Sequence, residues 1–203
     1  MNIKKYFRHE NTSFRMNHTD EDAIHLLGKR LIALLPNRPH DYIVVCIGTD
    51  RSTGDALGPL TGTFLSELKP KHLSVYGTLH QPIHAMNLEE SIDKIKAKHR
   101  QPFIIAVDAC LGKRSSIGQL ILDKGPLKPG AAFNKKLEPV GDLQLIGVVN
   151  ISGFMEHTIL QNTRLSLVTD MAKQLAFLFN LLDQRLTFPH SLPLASLKKE
   201  ESI

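Results

Sequence analysis

The sequence predicts an α/β domain with a parallel sheet covered on both faces. Three observations carry this. Short apolar runs of strand length (YIVVCIG at 42–48, FIIAV at 103–107) alternate with stretches that repeat apolar residues every three or four positions. The runs are apolar throughout, as strands buried on both faces must be. Hydrophobic residues make up 42% and charged residues 22%, a balance that supports a folded core.

Taken in order, residues 1–19 read as a basic N-terminal tail, 20–186 as a single domain and 187–203 as a polar, proline-containing tail. Met1 to Asp20 has no apolar stretch of the secretory kind, so no signal peptide is expected. No apolar run approaches the ~18 residues that cross a bilayer, so a membrane partner is not expected either. The first helix is predicted over 20–35, from Ile24, Leu27, Leu31 and Leu34, with Pro36 beyond. The strand over 42–48 leads into the loop GTDRSTGD. A second helix follows, striped by Leu57, Leu60, Phe64, Leu65 and Leu68, with Pro59 in its first turn.

Leu73 to Gly77 reads as a short strand. Asn87 and Glu90 have capping-box spacing for a helix that turns Leu88, Ile92 and Ile95 inward. The strand over 103–107 closes at Asp108, and 117–122 and 143–149 read as two more. The last helix repeats Leu165, Val168, Ala172, Leu175, Phe179 and Leu182.

In open α/β sheets, ligands bind outside the carboxyl ends of the strands. Two polar segments stand at such ends: GTDRSTGDALGP (48–59) and VDAC (107–110). If their strands are neighbours, Asp55 and Asp108 share one crevice. Two close carboxyls hold one proton between them, which supplies a general base and a general acid. The same pair can instead offer oxygen ligands to a divalent metal, with a histidine completing the set, although no metal or other cofactor is expected. Taken singly, Asp55 can be the N-cap of the second helix, and Asp108 can bind a neighbouring loop.

Thr49 and Asp50 shape the first loop, and Asn150, ending the last central strand, is placed to donate a hydrogen bond to substrate. His80 and His84 follow the second strand, and their i,i+4 spacing suits one helical face; they are candidates for substrate or metal. His157, beside Glu156, is a weaker candidate of the same kind. Cys46 and Cys110 match no zinc spacing and read as small core residues, with a reactive thiol as the alternative for Cys110. The loop has neither the GK[ST] ending of a P-loop nor the G-x-G-x-x-G fingerprint, and the chain has no G-x-S-x-G elbow.

The formal charge is +5. Residues 111–136 hold Lys113, Arg114, Lys124, Lys128, Lys135 and Lys136 against Asp123 alone. This is either a solvated surface or a surface for an acidic partner. Aromatics total 6% and Trp is absent, so no stacking platform for nucleic acid is evident.

At GTDRSTGDALGP and VDAC the chain resembles the superfamily of spore germination proteases and hydrogenase maturation endopeptidases. From about Asp41 to Asn180 it resembles, more closely, the YyaC-type sporulation proteins. The resemblance implies a three-layer α/β/α fold with a mainly parallel sheet. It places Asp55 and Asp108 where the germination protease carries its two acidic catalytic residues. In the hydrogenase maturation enzymes these positions are acidic and take part in recognising nickel, with a histidine in the region after VDA. Here that region, 111–136, has no histidine. The chain is also short beside the germination protease, and no propeptide is evident.

The resemblance thus implies an aspartate-dependent endopeptidase acting in the cytosol of a sporulating cell. Its expected partner is an acidic protein, small acid-soluble spore proteins being one class. The alternatives are a binding protein that keeps the peptidase fold and a metal-dependent maturation peptidase. A homo-oligomer is compatible with each.

Overall fold

The two most apolar runs of the sequence pair with each other at the centre of a six-stranded sheet. The computed structural model describes residues 13–36, 40–129 and 138–187. In it Asp41–Cys46 (β2) and Pro102–Gly112 (β4) run parallel, with Cys46 opposite Val107. Leu73–Tyr76 (β3) flanks β2 and Leu143–Ile151 (β6) flanks β4, both in parallel. Gln119–Lys124 (β5) and Phe14–Asn17 (β1) add two antiparallel strands, giving the order β1-β5-β6-β4-β2-β3.

Side-chain alternation divides the core between the two faces of the sheet. Val44, Cys46, Ile105, Val107 and Leu145 pack with Leu27 and Leu31 of Ala23–Leu34 (α1) and with Leu57 and Leu65 of Leu57–Glu67 (α2). The same layer holds Val168, Leu175 and Phe179 of the final helix. Ile43, Val45, Ile104 and Ala106 instead meet Leu88, Ile92 and Ile95 of Leu88–Lys98 (α3). The result is the three-layer α/β/α arrangement, with most of its helices on one face.

The chain leaves β2 through α2 to reach β3 on one side. It then returns through α3, on the opposite face, to β4 on the other side of β2. The connections after β2 and β4 therefore diverge, which opens a crevice at the carboxyl ends of these two strands.

Several local expectations change. Residues 14–17, expected within a tail, form the edge strand β1, where Phe14 and Met16 pack against the core. β4 does not close at Asp108 but continues to Gly112, because β6 keeps pairing with it. Glu156–Gln161 (α4) is a short helix that periodicity could not announce in so few residues. Asn87 occupies the N-cap position of α3, but its side chain makes no capping bond. Its Oδ1 accepts from His84 N–H (2.8 Å) and its Nδ2 donates to the Pro82 carbonyl (3.0 Å), so it ties the preceding loop instead. Glu90 pairs with Lys94, one turn on, rather than closing a capping box.

Leu165–Thr187 (α5) is long and apolar enough, by length and composition, to cross a membrane. In this fold it buries Val168, Leu175, Phe179 and Leu182 against α1, α2 and the sheet. Near its end, buried Asp183 accepts bonds from the N–H groups of Lys71, His72 and Leu73 (2.7–3.0 Å) and fixes the entry to β3. Residues 188–203 of the expected C-terminal tail lie outside the described residues.

Candidate active site

Asp55 is delivered to the crevice by a loop that folds back on the end of β2. Gly48 has φ +146°, and a Cβ there would sit 2.0 Å from the Asp55 carbonyl oxygen. Only glycine permits that approach. Thr49 N–H then donates to the same carbonyl (3.1 Å), closing the loop over residues 49–55. Asp55 itself lies in a 3-10 turn, Gly54–Ala56. The N-cap position of α2 belongs to Ala56, and no side chain caps the helix. The carboxyl of Asp55 is therefore not consumed as a cap.

Asp108 comes from β4, on the same face as Ile104 and Ala106, and stands opposite Ile146 of β6. The two aspartates line one cavity of about 270 Å³, with Gly48, Thr49, His84, Cys110, Lys128, Glu156 and His157 among its other walls. Asp108 is partly exposed, at the crevice, with protein packed densely around it. Burial pushes its carboxyl up to about 8; the Ala109 N–H holds it down somewhat, and the nearby charge of Asp55 raises it further. Asp55 is half-buried. Burial raises it as well, while the Ser52 hydroxyl and His157 pull it back. That buried hydroxyl makes no hydrogen bond of full geometry among the described residues.

These environments push the two carboxyls apart. Near neutrality Asp108, the more strongly raised, keeps its proton, and Asp55, the less enclosed of the two, is the one that ionises. As a coupled pair they titrate jointly. The Cys110 thiol, also in the wall, is pushed up to about 11 by burial and by Asp108, with Arg15 opposing. Burial there disfavours the thiolate that a reactive cysteine needs. Cys46 is buried in the core.

The remaining sequence candidates divide. Thr49 lines the cavity and its Oγ1 accepts from Arg51 N–H (3.3 Å), whereas Asp50 is exposed and outside the wall. His84 lines the cavity, but His80 is exposed and outside it, since the segment carrying them is a loop and not a helix. Asn150 is also outside the wall. Its Nδ2 donates to the Ile159 carbonyl (3.3 Å) and Thr163 Oγ1 (3.2 Å), clipping β6 to α4 rather than meeting substrate. His157 does reach the crevice. Glu156 and Lys128 join the wall as well; neither falls in a motif, and only the fold brings them there.

Among the described residues no group of three or more His, Cys, Asp or Glu converges in a way that could hold a metal ion. His84 and His157 line the crevice without joining the two aspartates in such a group.

Comparisons with known proteins agree with this fold. A [NiFe] hydrogenase maturation protease, HycI from Thermococcus kodakarensis KOD1, superposes with a TM-score of 0.51 over 71% of this chain and 93% of its own. At 21% identity that likeness speaks for a peptidase-like fold alone. The "Uncharacterized protein YyaC" of Bacillus subtilis (strain 168) is 54% identical over 142 residues, 70% of this chain and 69% of the relative. With residues 15–177 also matched, the chain belongs to the YyaC-containing family described as "Protein of unknown function (DUF1256)".

Proposed function

We propose that this protein is an endopeptidase that uses Asp55 as general base and Asp108 as general acid, acting on an acidic protein made during sporulation. The observation that carries the reading is the pairing of two carboxyls in one crevice, with Asp108 held protonated up to about 8. In the reaction, ionised Asp55 takes a proton from water while the water oxygen bonds to the scissile carbonyl carbon. Asp108 gives its proton to the amide nitrogen as the C–N bond breaks. The products are a carboxylic acid and an amine, and a proton passes from Asp55 back to Asp108 through solvent. No step passes through a metal.

The acidic substrate is supported by exposed Lys113, Arg114 and Lys128 on the segment that follows β4, with Lys128 in the cavity wall. The relation to YyaC supports a sporulation setting, and the cytosol of the sporulating cell is the proposed compartment. Small acid-soluble spore proteins are the first substrates to test. Wild type is expected to cleave them, insensitive to chelator, with cleavage lost in Asp55→Asn and Asp108→Asn although both variants remain folded. No cleavage by folded wild type would count against this substrate class and favour a protein that only binds. Chelator sensitivity would contradict the metal-free mechanism.

A further inference from the structure

β4 outlasts its neighbour. Its ladder with β2 ends at Cys46–Val107, while its ladder with β6 continues through Gly112–Ile151. Backbone direction along β4 is set by three bonds. The Val107 carbonyl accepts from Ile47 N–H (2.7 Å), toward β2. The Ile104 and Gly112 carbonyls accept from Asp142 and Ser152, toward β6. Ala109 and Leu111 therefore present their backbone groups to the side that β2 has left. The Ala109 N–H is taken by Asp108 (2.8 Å). The Ala109 carbonyl and both groups of Leu111 have no backbone partner among the described residues.

The cavity occupies this vacated position. Its walls come from both layers: Asp55, His157 and Leu160 on one side of the sheet, His84, Leu127 and Lys128 on the other. Apolar side chains stand exposed on both rims. Phe154 is 99% exposed and Met155 73%, directly before Glu156 and His157; Met86, beside His84 and Ala85, is 82% exposed. Met155 also holds a left-handed backbone (φ 63°), a conformation disfavoured in a residue with a Cβ.

We propose that an extended segment of an acidic polypeptide docks as an added strand on Ala109–Leu111 of β4, in the place that β2 vacates. This rests on the peptidase reading and supplies its mode of substrate binding. Strand addition takes affinity from the main chain and specificity from alternate side chains. Because neighbouring residues of a strand point to opposite faces, a short apolar run meets Phe154 and Met155 on one side and Met86 on the other. Acidic flanks meet Lys128 and the basic residues after β4. The segment's backbone then passes between Asp55 and Asp108.

The test is residue-resolved amide exchange of wild-type protein with a pool of blocked octapeptides, Ac-Glu-Glu-X-X-X-X-Glu-Glu-NH2, X being Ala, Val, Ile, Leu, Met or Phe. The Leu111 N–H is expected to exchange at least tenfold more slowly with millimolar pool, and to show no slowing when every X is N-methylated. Equal slowing with the methylated pool, or no slowing with either, would overturn the proposal. Cleavage of the pool is read separately. Protection without cleavage upholds the added strand and counts against the peptidase, while cleavage without protection does the reverse.

Discussion

Asp108 Oδ1 accepts a 2.8 Å hydrogen bond from Ala109 N–H, at the first ladder position that β2 has abandoned. A backbone donor that would have joined two strands instead holds one oxygen of a buried carboxyl as an acceptor. The proton then resides on the other oxygen, ready to be given away. The departure of β2 thus creates the crevice and sets the state of its acid together.

Stability should register the raised Asp108. Its folded value, about 8, lies above the ordinary 3.8, so the folded state binds the extra proton. The stability is fully present below about pH 4 and lost as pH rises through about 8. Asp108→Asn removes this slope. The variant should match wild type near pH 4 and exceed it at pH 9, by on the order of a few kcal/mol. Urea unfolding at the two pH values checks this, and a constant difference would speak against a protonated Asp108.

Activity should follow a bell. The alkaline limb falls above about pH 8 as Asp108 loses its proton, and the acid limb follows Asp55, above the ordinary aspartate range. His157→Ala removes a charge that favours ionised Asp55, so the acid limb should move to higher pH, by up to about one unit. The alkaline limb should stay in place. A kcat/KM profile of both proteins measures this.

Gly48→Ala should damage the site through the backbone. A Cβ would lie 2.0 Å from the Asp55 carbonyl, and φ +146° is strained for alanine. The conformation alone costs roughly 1–3 kcal/mol, and relief of the clash displaces Asp55. A lower Tm with activity reduced at least about a hundredfold is expected, in line with loss of a general base.

Asp183→Ala should separate stability from chemistry. Three N–H groups, of Lys71, His72 and Leu73, lose their acceptor, which costs roughly 2–4 kcal/mol. Below the new Tm the pH profile of activity should be unchanged, since none of these residues lines the crevice.

The central elements were legible because buried parallel strands and amphipathic helices write their periods over many residues. YIVVCIG and FIIAV announced β2 and β4, and the 3–4 repeat from Leu165 announced α5. Asp55 and Asp108 were legible because both follow such runs. β1 was not, since an edge strand of four residues carries no period long enough to separate it from a polar tail. α4 was too short for the same reason. Asn150 and His80 were misplaced because position after a strand says nothing of side-chain direction. Glu156 reaches the crevice only because α4 packs beside the turn that carries Asp55, a contact between residues a hundred positions apart.

The central claim is one proton shared unequally by Asp55 and Asp108. Carbon-13 titration of the two side-chain carboxyls, in wild type and in Asp55→Asn, tests it most directly. Asp108 should titrate near 8 in wild type, and lower in the variant, where the charge of Asp55 no longer opposes its ionisation. Two independent titrations near 4, unchanged by the substitution, would contradict the pair and the acid–base roles built on it.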